Sequence, residues 1–150
     1  MRICADENVA PKLTELICEQ LLSKSNILQT VDHYQAKGVD DPIWVRKFAS
    51  AGGEAIVSGD FNLTKRASEI VAIAETGLRL IVLDQKWPRA PKHIQIAYLF
   101  YWWPEIENVF AGAKPGQCFK VPWSWPEKLD GLIKPLKLDV QGAYKKLKKK

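Results

Sequence analysis

Carboxylates in this sequence recur directly after short apolar runs. Asp6-Glu7 follows Arg2-Ile3-Cys4-Ala5. Asp60 follows Ala55-Ile56-Val57-Ser58-Gly59, with Asn62 two residues on. A further acidic pair, Asp40-Asp41, stands directly before Pro42, and Asp84 follows Arg79-Leu80-Ile81-Val82-Leu83. Carboxylates gathered from separate segments repel one another unless a cation offsets their charge. Oxygen ligands with no His or Cys among them suit Mg²⁺ or Mn²⁺ rather than zinc. Such an ion lowers the pKa of a bound water and offsets charge on a phosphorane-like transition state.

Each of these residues also has a plainer reading. An Asp after a strand often caps a helix or forms a turn. Asp6, Asp41 and Asp60 share that alternative, and Asp84 reads as a turn former because the chain runs on into Gln85-Lys86-Trp87-Pro88. Lys65 and Arg66 follow Asp60 and can hold a phosphate, Arg through its bidentate fork, or can form an ordinary solvated helix face. Ser58 can hydrogen-bond Asp60 or a ligand, or serve the turn. His33 is an acid–base candidate on a loop, or a surface residue.

These residues need elements to hold them. Arg2–Ala5, Ile27–Val31, Ala55–Val57, Arg79–Leu83 and Gln117–Val121 read as short strands. Between them lie helical patterns: Ala10–Ser23, with Pro11 in its first turn; Asp41 to about Ala51, ended by Gly52-Gly53; a helix capped by Thr64 and stopped by Gly77; and Pro91–Trp103, broken before Pro104 and followed by a helix from Pro104 to Phe110. Alternating helices and continuously apolar strands predict a three-layer α/β/α fold with a central, mainly parallel sheet of four to five strands. Sites in such sheets form at the carboxyl ends of the strands, where Asp6, Asp60 and the Asp41 helix start are predicted to converge.

A chain of 150 residues, 47% hydrophobic and 26% charged, is one globular domain with at most a small appendage. Membrane spans and a secretory leader are not expected, and three scattered cysteines suit reduced thiols in a cytoplasmic protein. The net charge of +5 resides in the tail: Lys145–Lys150 holds five lysines, and the rest carries 17 basic against 17 acidic residues. That tail either attracts phosphate backbones or is a frayed, solubilising end. After Val121 the prolines and lysines predict a loosely packed extension, giving a division into 1–121 and 122–150.

Three motifs together resemble the PIN-like domain family, the fold of VapC-type toxin ribonucleases, and within it the compact group whose first strand ends in Asp-Glu-Asn. They are Asp6-Glu7-Asn8, the helix start Asp41-Pro42-Ile43-Trp44, and the strand end Ile56-Val57-Ser58-Gly59-Asp60, within a resemblance spanning roughly residues 2–121. The resemblance implies metal-dependent endonucleolytic cleavage of RNA, restrained by a bound antitoxin. It implies Asp6, Asp41 and Asp60 as ligands of Mg²⁺ or Mn²⁺, with Asp40 as the alternative to Asp41, and Glu7 as a fourth ligand or a residue that positions water. Ser58, Asn62, Lys65 and Arg66 would contact substrate. Asn62 stands where the family often has another acid, which weakens any second metal.

Two other readings stay open. A phosphoacceptor receiver domain is also five-stranded, with an acidic pair after its first strand and an Asp after its third. Against it, Asp84 occupies the place of a Ser or Thr after strand four, and Lys114 precedes the fifth strand. The other is a PIN-like scaffold that binds without cutting. The run Tyr98–Trp103 is apolar all round, which leaves core, protein interface and base stacking as its roles, with a homodimer or an antitoxin as the partner.

Overall fold

The computed structural model describes residues 1–31 and 41–149; the side chain of Asp41, and His33 and Asp40 altogether, lie outside that description. Within it the elements are β1 (Arg2–Ala5), α1 (Pro11–Gln20), β2 (Ile27–Thr30), α2 (Asp41–Ser50), β3 (Ala55–Ser58), α3 (Ala67–Thr76), β4 (Arg79–Val82), α4 (Lys92–Gly112), β5 (Cys118–Lys120), β6 (Lys134–Pro135) and α5 (Val140–Lys148). They form one sheet in the order β2-β1-β3-β4-β5-β6, parallel throughout except for β6. That is one strand more than the sequence predicts, because the two-residue β6 has no periodicity to read.

Alternation along the strands divides the core. Ile3, Ala55, Val57 and Ile81 face one way and pack on α1 and α4. Cys4, Ile56, Leu80 and Val82 face the other and pack on Trp44, Val45 and Phe48 of α2 and on Ala72 and Ile73 of α3. This period of two produces the three layers, since each face must be covered by a helix stripe.

Four local expectations are corrected. Helix α1 stops at Gln20 rather than Ser23, because Glu107 of α4 accepts from Ser23 N (3.0 Å) and from Asn26 Nδ2 (2.8 Å) and holds the chain in a turn. Thr64 caps no helix: its hydroxyl donates to Phe61 O (2.8 Å) inside a 3₁₀ turn, Phe61–Thr64, and α3 starts after Arg66. Helix α4 runs unbroken through Pro104. An interior proline costs about 3 kcal/mol. Here Pro104 is exposed, while Trp102, Trp103, Ile106 and Phe110 on either side are buried, and each such side chain contributes about 1.5–3 kcal/mol.

The fourth correction concerns the C-terminal segment, which is not loose. Trp102 Nε1 donates to Ser124 O (3.1 Å), and the rings of Trp123 and Trp125 lie 4.9 and 5.8 Å from that of Tyr98. Ile133 is buried in the α4 core, Leu136 N donates to Cys118 O (2.7 Å), and Ala143 of α5 packs on Ile70 and Val71 of α3. This strap explains how most of the Tyr98–Trp103 run is covered. Tyr98, Leu99, Trp102 and Trp103 are buried and Phe100 and Tyr101 half-buried, so the run offers no exposed member for a partner. Most of the lysine tail is likewise helical, with Asp139 accepting from Gly142 N (3.0 Å) at the start of α5.

Candidate active site

Strands β1 and β3 are adjacent and in register, Ala5 opposite Val57, so the residues that follow each meet at one edge. Asp6 N donates to Val57 O (3.1 Å), which draws the first carboxylate over the end of β3. Asp6 is buried. Its Oδ1 accepts from Asn8 N (3.1 Å) and Gly59 N (3.2 Å), and its Oδ2 accepts from Ser58 Oγ. Ser58 Oγ in turn accepts from Asp60 N (3.0 Å), so one hydroxyl ties the two aspartates together. Asp60, partly exposed, accepts from Asn62 N at Oδ1 (2.9 Å) and pairs through Oδ2 with Arg66, whose other nitrogen meets Glu69 (2.9 Å).

Burial is the main reason that the Asp6 carboxyl is pushed up to about 6; the hydrogen bonds from Ser58, Gly59 and Asn8 oppose the shift without cancelling it. No cation pairs with Asp6 among the described residues. The native state therefore holds a proton on Asp6 that the unfolded chain has lost between about pH 4 and pH 6. Stability falls as pH rises through that window, and the penalty is fully present above it. Asp6→Asn removes the charge and keeps the cradle, since its carbonyl accepts from Gly59 and Asn8 and its amide donates to Ser58 Oγ. In metal-free protein, denaturant melts should show the variant gaining on the parent by about 3 kcal/mol between pH 4 and pH 7.5. A gap that does not change with pH would mean that Asp6 is ordinarily ionised.

Gly59 is required by a close approach. A Cβ there would lie 2.6 Å from the buried Trp87 ring and 3.0 Å from Asn8 Cβ. Gly59→Ala must therefore displace one of them, and thermal denaturation should register a loss of about 1–3 kcal/mol.

The remaining candidates are placed as follows. Glu7, Asn8, Asn62, Lys65 and Arg66 are exposed at this edge. Asp41 opens α2, but its side chain is not described, and Asp40 and His33 fall outside the described residues. Asp84 does form the expected turn, accepting from Lys86 N (2.9 Å), and it also pairs with Lys120 Nζ (3.3 Å) at the end of β5. Among the described residues no group of three His, Cys, Asp or Glu is close enough to hold a metal. Even so, the buried Asp6 carboxylate, without a counter-charge among the described residues, and the partly exposed Asp60 carboxylate at the adjoining strand end form a donor set that fits a hard divalent cation.

Beside Asp60 a cleft of about 850 Å³ opens between the turn after β3 and the loop after β4. Lys86, Arg89 and Trp123 line its far side. Sequence reasoning missed these three: Lys86 and Arg89 flank a buried Trp87 in what reads as a plain turn, and Trp123 comes from the strap.

With this geometry in view, residues 1–85 match the model of a PIN like domain family. The chain belongs to the PIN-like domain family. The match is shorter than the expected 2–121 and ends just after β4, so the PIN-like motifs lie inside it while α4, β5 and the strap lie beyond it. No curated protein and no solved structure matches the chain. PIN-like domains are commonly nucleases, and those nucleases usually use divalent metal ions. Among the described residues, no helix of this PIN-like protein is long and apolar enough to cross a membrane.

Proposed function

We propose that this PIN-like protein is a metal-dependent endoribonuclease, the cytoplasmic toxin of a toxin–antitoxin pair, of the VapC type. One observation carries the reading: a buried carboxylate, Asp6, without a counter-charge among the described residues, joined through the Ser58 hydroxyl to the backbone N–H of Asp60, whose own carboxylate is partly exposed at the adjoining strand end. Asp6 and Asp60, with Asp41 from the start of α2, would hold Mg²⁺ or Mn²⁺. When bound, such an ion supplies Lewis acidity toward a phosphodiester and makes water acidic enough to attack it. The chain's own residues set the stage. Ser58 and the Gly59 and Asn8 amides hold Asp6 in one orientation, and Glu7 and the Asn62 amide stand ready to orient water. Lys65 and Arg66 would contact the phosphate, and Arg66 would give up its pair with Asp60 where that carboxylate holds the ion. The partners are RNA as substrate and a protein antitoxin as restraint.

A second reading, a PIN-like binding protein without activity, has one observation in its favour: the Arg66 guanidinium already neutralises Asp60. The receiver alternative shares the strand order 2-1-3-4-5, so topology does not separate the two. The family match does, and the cation at the end of β5, Lys120, goes to Asp84 rather than to Asp60. The test is incubation of purified protein with single-stranded RNA in EDTA, Mg²⁺ and Mn²⁺. Internal cuts that require the metal are expected. Intact RNA in all three, with folded protein, rules the nuclease out.

A further inference from the structure

We propose that the cleft beside Asp60 holds a single-stranded nucleic acid, with Lys86 and Arg89 on its phosphates and Trp123 under an unstacked base. The proposal rests on the nuclease reading and adds the substrate's form and the residues that select it. Charge is the first argument. Arg2 and Arg79 are bonded to backbone carbonyls, and Arg46 and Arg66 to carboxylates. Lys86 and Arg89 are exposed at the cleft, and among the described residues neither side chain has a hydrogen-bond or carboxylate partner. Two uncompensated cations facing a carboxylate edge suit a polyanion whose scissile group reaches Asp60 while its neighbouring phosphates rest on the far wall.

Shape is the second argument. Trp123 is half-buried and backed by Tyr98, with ring centroids 4.9 Å apart, so its ring is held in place at the cleft. A fixed aromatic surface stacks on a base only when that base has left its own stack, which single strands allow and duplexes resist. The volume of about 850 Å³ falls in the range of sites that enclose a small ligand, wide enough for individual nucleotides. Asn8, Asn62 and Gln85 at the rim add donors and acceptors for base edges.

The experiment measures anisotropy of a labelled, unstructured RNA of about ten nucleotides, free and as a duplex, in EDTA so that no cutting occurs. The parent should bind the single strand about tenfold or more tighter than the duplex. Lys86→Ala with Arg89→Ala should reduce the slope of log affinity against log salt by about 1.4, two phosphate contacts at about 0.7 each. Trp123→Leu should weaken binding about five- to a hundredfold, and Trp123→Phe should restore most of it. Equal affinity for strand and duplex, or binding to neither, overturns the proposal. An unchanged salt slope in the Lys86/Arg89 variant also overturns it, and because both side chains are exposed that result stands whether or not Trp123→Leu folds. Cleavage in Mn²⁺ is scored separately. A parent that binds as expected but never cuts supports the cleft and removes the nuclease reading. A parent that cuts, with the double variant unchanged in KM and affinity, removes the cleft and leaves the nuclease reading.

Discussion

Asp60→Asn is expected to lower metal-dependent RNA cleavage about a thousandfold or more, with the protein still folded. A thousandfold corresponds to about 4 kcal/mol of transition-state stabilisation, within what a lost charged ligand to a catalytic cation removes. Asn retains an oxygen to accept from Asn62 N (2.9 Å), so the turn after β3 survives. The lost pair with Arg66, whose side chain is 44% exposed, is a surface contact of about 0–1 kcal/mol. Asp6→Asn should match it in activity for the same reason, whereas Asp6→Ala would also strand Ser58 Oγ and two backbone amides. Calorimetry adds a second readout. Mn²⁺ at about a hundred times its Kd should stabilise the parent by about 2.7 kcal/mol and either variant by clearly less. A folded Asp60→Asn protein that cuts at the parental rate removes Asp60 from the site.

A chain ending at Val121 should fail to fold. It would lose the Trp102–Ser124 bond, the rings of Trp123 and Trp125, Ile133, strand β6 and helix α5. Tyr98, Trp102, Ile70 and Val71 would then lose cover. At about 1.5–3 kcal/mol for each large apolar side chain, a handful of such losses reaches the 5–15 kcal/mol by which domains are stable. Circular dichroism should show no cooperative melt, and the chain should bind a hydrophobic dye or precipitate. A soluble truncated protein melting within a few degrees of the parent would show that residues 1–121 stand alone.

The two predictions draw on different parts of the chain, and those parts differ in how readable they are. Strands β1, β3 and β4 are runs of apolar residues ended by Asp or Gly, and parallel pairing at the sheet centre leaves them no other environment. Their carboxyl ends, and with them Asp6, Ser58 and Asp60, are therefore legible from composition alone. The strap is not. Trp123 and Trp125 owe their place to rings on α4 that are distant in sequence, and β6 is specified by backbone pairing with β5 over two residues rather than by a side-chain pattern. Pro104 misled for a related reason: its local cost is readable, but the aromatic burial that offsets it belongs to the tertiary structure. The cation wall of the cleft was hidden because a Lys or Arg in a turn has no signature until something faces it.

The order of the sheet has a consequence for the timing of synthesis. Strand β4 pairs with β3 on one side and with β5 on the other, and β5 leaves the ribosome only after all of α4. Throughout that interval the nascent chain presents Leu80, Ile81 and Val82 on an open parallel edge, with α4's aromatic run emerging beside it uncovered. Such an edge is a template for pairing with another chain. Slowing elongation after Val82 has left the ribosome and before Lys120 has should therefore lengthen the exposure and raise the aggregated fraction, while the same delay placed after Lys120 has emerged should matter far less.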